Sequence, residues 1–152
     1  MGNRAVIIPK SGLNEDRTIK PDTIGVYVHW NGDRESIESF LGYCEAKEYR
    51  SPKNDLSYGF ARLTAIIANF FDDGLSVGVD VASRLDCDNW DNGVYVIDGW
   101  DIVDRLYVDD DEDSGHCSET MMNEIDDRQP MGVRLGKEKI HAYMKSRELP
   151  WF

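Results

Sequence analysis

The sequence predicts an α+β domain, and three observations lead to this fold class. Two segments, Thr23–Trp30 and Leu75–Ala82, place apolar side chains at every second position, which is the period of a strand. Two longer segments between them carry apolar residues at helical spacing. Asp98-Gly99 separates two further apolar runs and is a strong hairpin signal. We therefore expect an antiparallel sheet of about five strands with two helices on one face, in the order ββααβββ.

The first two strands are expected near the N-terminus. Ala5–Pro9 is a short apolar run, and the polar segment Lys10–Asp22 after it has the Gly, Asn and Pro content of a loop. In Thr23–Trp30, alternate positions from Ile24 onward hold β-branched aliphatic residues, which indicates one face on a core. Asn31-Gly32 supplies the turn chemistry that ends this strand.

Two helices are expected between the second and third strands. Asp33 has the position and side chain of an N-cap, and the first helix should run to about Tyr49. Its apolar stripe consists of Ile37, Phe40, Leu41 and Cys44. After a break at Pro52, the second helix should span about Leu56–Phe71, with Gly74 as the residue that closes it.

The remaining strands are expected in the second half of the chain. In Leu75–Ala82, the odd-numbered residues should face the core and the even-numbered residues should face outward. Gly93–Asp98 and Trp100–Val108 should form the two arms of the hairpin around Asp98-Gly99. The core domain is therefore predicted to span residues 1–108.

Residues 109–152 are predicted to lie outside this core domain. Residues 109–117 form an acidic linker, because a row of like charges repels itself and stays solvated. Two short helices, Ser118–Asp127 and Leu135–Arg147, are expected in the helical C-terminal segment 118–152. We expect this segment to dock on the core, since Trp151 and Phe152 would otherwise leave large apolar side chains in water.

The negative charge of the chain is concentrated in one block. The 152 residues carry a formal net charge of −12. Between Asp72 and Asp127 there are 18 Asp or Glu residues against two Arg residues, a net charge of −16. A field of this sign attracts basic surfaces and repels nucleic acid and anionic lipid. We therefore expect no direct binding to nucleic acid or to membranes.

Composition and motifs argue against several classes of protein. No apolar run approaches the ~20 residues that span a bilayer, and the N-terminus shows no signal-peptide pattern. The cysteines Cys44, Cys87 and Cys117 form no paired motif, so a cytoplasmic protein with reduced thiols is expected. No cofactor, metal site or catalytic residue is predicted. A calcium-loop register that starts at Asp110 has Met121 at its last ligand position, which cannot bind the ion.

Carboxylates and aromatic residues alternate in the acidic block and define the first candidate site. The residues assigned to it are Asp86, Asp88, Trp90, Asp91, Asp101, Asp104, Asp109, Asp110, Asp111, Glu112 and Asp113. Carboxylates along a sheet edge and its loops can present charge as a nucleic-acid backbone does, and aromatic residues anchor protein interfaces. This pattern predicts a surface that binds the basic, nucleic-acid-binding groove of another protein. The alternative is that these charges only keep the protein soluble.

A second candidate site is a pocket at the junction of the second strand and the first helix. His29 and Asn31 lie beside a helix N-terminus, which offers free N–H groups to an anion. Arg4 and Arg62 would be the partners of that anion. Such a pocket would make the protein a small enzyme or a nucleotide-binding protein. The structural alternative is that His29 is a surface strand residue and Asn31 only turns the chain.

Four short motifs follow one another along residues 1–108. They are Met1-Gly2-Asn3-Arg4-Ala5, Gly25-Val26-Tyr27-Val28-His29-Trp30-Asn31-Gly32, a helical segment with Tyr58 and Ala61-Arg62, and Val77-Gly78-Val79. In their order and spacing they resemble a loose group of small proteins from bacteriophages and bacterial mobile elements. The acidic run and the basic C-terminal tail lie outside this resemblance.

The resemblance implies a phage or mobile-element origin and assigns no catalytic residue. In that setting, a small acidic protein is expected to act against host defence. We therefore expect an inhibitor that occupies the basic groove of a CRISPR nuclease or restriction enzyme, as a nucleic-acid mimic would.

Overall fold

One five-stranded sheet forms the centre of the molecule. The computed structural model describes residues 2–72, 74–108 and 115–148. The strands are β1 (Ala5–Pro9), β2 (Ile24–Val28), β3 (Val77–Val81), β4 (Val94–Asp98) and β5 (Asp101–Leu106). The helices are α1 (Arg34–Ala46), α2 (Leu56–Phe70), α3 (Glu119–Asp127) and α4 (Lys137–Glu148). The class is α+β, and the order ββααβββ through β5 is the one expected.

The sheet is mixed rather than wholly antiparallel, which corrects the prediction. Its strand order is β3-β2-β1-β4-β5. β1 and β4 run parallel, with Ile7 beside Tyr95 and Ile8 beside Val96, and the other three pairings are antiparallel. The physical reason is that these two strands occupy the centre. All five residues of β1 and the first four of β4 are buried, as is typical of parallel strands covered on both faces.

The two faces of the sheet are covered differently. On one face, β1, β2 and β4 contribute residues to a large core that they share with the helices; we call this the helix-side core. Its sheet residues are Ala5, Ile7, Val26, Val28, Tyr95 and Ile97, and its helical residues include Phe40, Leu63, Ile67 and Met122. The opposite face carries a smaller loop-side core under the segments that precede β2 and β4. Its buried residues are Val6, Ile8, Ala82, Val94, Val96 and Leu106.

The predicted starts of α1 and α3 are confirmed by capping contacts, whereas α4 begins at Lys137, two residues after the predicted Leu135. The Asp33 carboxylate accepts a hydrogen bond from the Ser36 N–H at 3.1 Å, and the Ser118 hydroxyl accepts one from the Met121 N–H at 3.1 Å. At the end of α2, Asp72 and Gly74 both have left-handed backbone, with φ of 59° and 68°, and Asp72 is the one directly after the cap residue Phe71. The predicted closing residue, Gly74, lies two positions further along.

The alternation predicted for the third strand holds only within β3. Leu75 precedes the strand and is largely exposed, so it does not face the core. Ala82 follows the strand and is buried in the loop-side core, although it was expected to face outward. The reason is that the chain turns at Ala82–Arg84 and crosses the face of the sheet that had been expected to be open.

Helices α3 and α4 lie against α1, and the buried Asp126 carboxylate connects them. It accepts hydrogen bonds from the Tyr43 hydroxyl at 2.5 Å and from the backbone N–H groups of Leu135 at 2.8 Å and Gly136 at 3.0 Å. Burial and this hydrogen bond raise the pKa of Tyr43 well above its usual range. The acidic residues Asp109–Asp113 and the terminal Trp151 and Phe152 lie outside the described residues. None of the described helices is both long and apolar enough to cross a bilayer.

Candidate partner-binding surface

The segment Leu85–Gly93, which we call the Trp90 loop, crosses the loop-side face and leads into β4. The loop ends at Gly93, where the backbone conformation and the space available both require a glycine. This glycine has φ of 62°, and a Cβ atom there would lie 2.2 Å from the Leu106 carbonyl oxygen. No other residue fits this close approach between the loop and β5 without a shift of backbone.

Asn89 holds the loop in one conformation from inside. Its side chain is fully buried. Its Nδ2 donates to the carbonyl oxygens of Asp86 at 2.9 Å and Gly93 at 3.3 Å. Its Oδ1 accepts from the N–H groups of Asp91 at 3.0 Å and Gly93 at 3.0 Å. Both polar atoms of the amide are satisfied, so burial of Asn89 stabilises the loop geometry.

Arg4 fixes the loop from outside. Its Nε donates to the Asp91 carboxylate at 2.8 Å, its backbone N–H donates to the same oxygen at 3.0 Å, and its Nη1 donates to Asp86 at 3.1 Å. These bonds lower the pKa of Asp91, and the carboxylates in turn raise the pKa of Arg4. Asn92 adds a hydrogen bond from Nδ2 to the Arg4 carbonyl at 3.0 Å. The loop is thus tied to the start of β1.

This scaffold displays an exposed tryptophan. Trp90 is 91% exposed and has φ of 64°, a left-handed conformation that is unusual for a bulky residue. Tyr107, which follows β5, is 55% exposed and has φ of 60°. The carbonyl oxygen of Tyr107 lies 3.0 Å from the position of a Cβ on Gly93, so the two aromatic residues lie at the same end of the β4–β5 hairpin. An exposed Trp on fixed backbone is the feature that interface anchors share.

A cleft of about 790 Å³ opens beside the loop. Its charged lining residues are Asp16, Arg17, Lys20, Asp86 and Asp88, and Tyr107 forms part of its wall. The carboxylates of Asp16 and Asp86 are already bonded, to Thr18 and Arg4. Among the described residues, Asp88 is exposed and takes part in no ion pair of the kind that holds Asp86. It therefore offers a carboxylate to a partner next to Trp90.

Asp101 and Asp104, the two other predicted carboxylates that the structure describes, lie on β5 rather than on the Trp90 loop. Asp104 binds Arg17 through two parallel bonds of 2.9 and 2.8 Å, and the hydrogen bond from Arg17 lowers its pKa. Asp101 lies at the far end of β5, where partial burial and the nearby Glu45 raise its pKa. Leu106 lies five positions further along the strand, roughly 17 Å away at the usual rise per residue. Of the predicted site residues that the structure describes, Asp86, Asp88, Trp90 and Asp91 lie together on one loop.

Three of the four residues of the alternative pocket lie near one another, because the Asn3 N–H donates to the His29 carbonyl at 2.9 Å and the Gly32 N–H donates to the Asn3 carbonyl at 2.8 Å. His29 lies at the end of β2, where its Nδ1 is 2.9 Å from the Tyr27 hydroxyl. Asn31 donates to the Ser36 hydroxyl at 3.3 Å beside the N-cap of α1. Arg4 directly precedes β1, and its guanidinium donates to Asp91 and Asp86 of the Trp90 loop. Arg62 lies on α2, with its guanidinium 5.1 Å from the centre of the Tyr58 ring. No contact is shared between Arg62 and His29 among the described residues.

Two functional features were missed in the sequence. Asn89 was not singled out, although an Asn four residues before a Gly at the start of an apolar run is a turn signal that could have pointed to it. The pairing of Arg4 with Asp86 and Asp91 joins residues more than eighty positions apart, and no local pattern indicates it.

The chain matches no protein-family model, no curated protein and no solved structure with which it was compared. In the described part of the chain, no group of three or more His, Cys, Asp or Glu side chains is placed to hold a metal ion. Function therefore has to be inferred from the surface itself.

Proposed function

We propose that the protein binds a basic, nucleic-acid-binding surface of a host defence protein through the Trp90 loop and so blocks that surface. The observation that supports this function is Trp90, which is 91% exposed on a loop fixed by the buried Asn89. Large exposed aromatic residues on rigid backbone bind with little loss of conformational entropy. A loop that is fixed by several hydrogen bonds and exposes a tryptophan is suited to binding a partner protein.

The negative charge of the chain also favours binding to a basic surface. Asp88 offers a carboxylate beside Trp90, and the chain as a whole carries a net charge of −12, which attracts a basic surface over distance. In the proposed complex, Asp88 pairs with an Arg or Lys that otherwise binds phosphate. Trp90 packs beside that pair as the aromatic anchor of the interface.

The charge pairs within the molecule refine the mimicry hypothesis. Arg4 compensates Asp86 and Asp91, and Arg17 compensates Asp104. These three carboxylates are therefore not free to replace phosphates in a continuous row. In the proposed complex, binding depends on Trp90 and Asp88 as an anchor, and the remaining charge mainly increases the rate of association.

A competition experiment tests this function. The tagged protein captures partners from host lysate, and each captured protein is purified and bound to a fluorescent duplex. We expect the wild-type chain to displace the duplex, and we expect Trp90→Ala to weaken displacement by about 30-fold or more, as loss of a hot-spot residue of about 2 kcal/mol would. Asp88→Asn should have a smaller effect that vanishes in high salt.

Trp30→Ala is the matched control, because Trp30 is also an exposed tryptophan, 47% accessible, but lies at the junction of β2 and α1. It should displace the duplex as well as the wild-type chain does. Equal displacement by the Trp90→Ala variant would refute the role of the loop. A partner that binds while its duplex stays bound would refute the blocking function.

A further inference from the structure

The outer edge of β3 has unpaired backbone groups. Two hydrogen bonds just outside the strand show which of its residues direct their backbone groups toward β2. The His29 N–H donates to the Ser76 carbonyl, and the Ala82 N–H donates to the Thr23 carbonyl. Antiparallel pairs alternate, so Val77 and Val79 direct their N–H and C=O groups away from β2. Among the described strands β3 pairs with β2 alone, and the edge is open to a further strand.

Within residues 2–72, 74–108 and 115–148, this edge lacks the features that usually protect an edge strand. Natural edges are protected by Lys, Pro, bulges or covering loops, because open backbone groups recruit other strands. β3 reads Val-Gly-Val-Asp-Val and pairs with β2 without a bulge. Its one charged residue, Asp80, accepts a hydrogen bond from the Val81 N–H at 2.7 Å. The N–H of Val81 is therefore occupied, whereas those of Val77 and Val79 are not.

An apolar groove of about 670 Å³ runs along the same edge between β3 and α2. It is lined by Ile24, Leu56, Ser57, Phe60, Ala61, Thr64, Ala65, Ala68 and Val79. None of these residues is charged. An exposed helix face normally carries charged residues, but the only charged residue of α2 is Arg62, which stacks on Tyr58 instead. The groove and the Val79 side of β3 thus form one continuous uncharged surface, and Asp80 does not line it.

We propose that this surface joins two copies of the chain, with β3 of one copy paired antiparallel to β3 of the other about a two-fold axis at Val79. Val79 then bonds with Val79 of the second copy in both directions. Each Val77 N–H donates to the Val81 carbonyl of the other copy, so the bond between Asp80 and Val81 is kept. Side chains directly opposite in a sheet share a face, so the valines of each copy enter the groove of the other.

The register favours a second copy as the occupant, because the backbone groups that β3 leaves unpaired are complementary to themselves about Val79. In this register Asp80 lies opposite Gly78 of the second copy, so the two Asp80 carboxylates do not face each other. Two chains of net charge −12 repel each other elsewhere and can approach only through an uncharged surface, which β3 and α2 supply. Self-association should therefore strengthen as salt rises, whereas binding of a basic partner by the Trp90 loop should weaken.

Light scattering with size-exclusion chromatography tests the proposal across a dilution series. The wild-type chain should give twice its mass of 17.3 kDa at high concentration. Val79→Lys places a charge at the open edge and should give the mass of one chain. Val103→Lys is the matched control, because Val103 is 49% exposed on the opposite edge strand β5, against 50% for Val79. This variant should still give twice the single-chain mass.

Circular dichroism establishes that both variants fold. A wild-type chain that keeps the single-chain mass at every concentration and salt would overturn the proposal. In that case the occupant of the groove would be an extended segment of a different protein. Dimers that survive Val79→Lys, or that are lost with Val103→Lys, would also overturn it. None of these outcomes depends on the Trp90 loop, so this surface can fail while the proposed function stands.

Discussion

The two faces of the sheet are covered and stabilised by different interactions. The helix-side core is covered by helices and holds aromatic and branched aliphatic side chains in one large cluster. The loop-side core has few buried residues, and polar contacts from Asn89 and Arg4 hold its cover in place. Apolar burial thus supplies most of the stability on one face. Hydrogen bonds supply most of the loop geometry on the other, and this is the face that presents Trp90.

The difference suggests why a binding loop lies where it does. Side chains packed under helices cannot be exchanged without loss of the core, whereas a loop fixed by a few specific hydrogen bonds leaves its outer residues free to vary. Trp90 can therefore be fully exposed while its backbone is held. Three pairs of residues test this comparison, and each pair has one member on either side of the sheet.

The largest effect is expected for the neighbours Ile7 and Ile8 on β1. Both are fully buried, but Ile7 belongs to the helix-side core and Ile8 to the loop-side core. Substitution of a buried Ile by Ala costs ~2–5 kcal/mol, and the cost is lower where the site can collapse. We expect Ile7→Ala to lower the free energy of unfolding by more than Ile8→Ala, because loops can move inward more easily than packed helices.

Urea denaturation of the two variants, with the wild-type chain as reference, measures this difference. Equal losses would mean that the loop-side cover is as rigid as the helical one. A larger loss for Ile8→Ala would reverse the comparison.

The same contrast explains what the sequence could predict. The helices were predictable from their caps and apolar stripes, because both signals lie within a few residues of each other, as at Asp33. The parallel pairing of β1 with β4 was missed, since it joins segments almost ninety residues apart. A signal for it existed: Ala5–Pro9 and Val94–Ile97 are unbroken apolar runs, typical of strands buried on both faces.

The residues of the candidate site could be predicted from the sequence, but their ion pairs and spatial arrangement could not. Asp86, Asp88, Trp90 and Asp91 are close in sequence and also lie on one loop, so their grouping followed from the chain itself. Asp101 and Asp104 had been grouped with them on charge alone. Whether a carboxylate is free or paired depends on distant arginines, and the contact of Arg17 with Asp104 spans more than eighty residues.

A smaller effect on stability is expected from two buried amides, Asn89 on the loop side and Gln129 on the helix side. Gln129 donates to the Ile66 and Ile125 carbonyl oxygens, both at 3.1 Å, and accepts from Asn69 at 2.9 Å. Loss of either amide leaves buried polar groups without partners, at a cost of ~1–3 kcal/mol. We expect Asn89→Ala to abolish displacement of the duplex by the Trp90 loop, whereas Gln129→Ala should not.

Both variants are compared at a temperature where each is fully folded. Equal displacement by Asn89→Ala and the wild-type chain would show that the loop needs no internal fixing. A loss of displacement in Gln129→Ala would trace the effect to general stability.

The smallest effect is expected in the titration of Asp91 and Asp101. An ordinary Asp titrates at about 3.9. Hydrogen bonds from Arg4 hold the pKa of Asp91 below that value, whereas partial burial and Glu45 raise the pKa of Asp101 above it. A lowered pKa means that the folded state binds its proton less readily than the unfolded state. The stabilisation from Asp91 is therefore present above about pH 3.9 and is lost as the pH falls through the lower folded-state pKa.

The pKa of Asp101 is shifted in the opposite direction, so its effect on stability has the opposite sign. Its charged form is disfavoured in the fold, so protonation as the pH falls through its raised pKa removes a small destabilisation. Carbon-detected NMR of the carboxyl groups should show Asp91 titrating below Asp101. In an Arg4→Gln variant the midpoint of Asp91 should rise toward the ordinary value while that of Asp101 stays in place. Midpoints that coincide in the wild-type chain would mean that Arg4 does not hold the Trp90 loop in solution, and the distinction between the two faces would then depend on Asn89 alone.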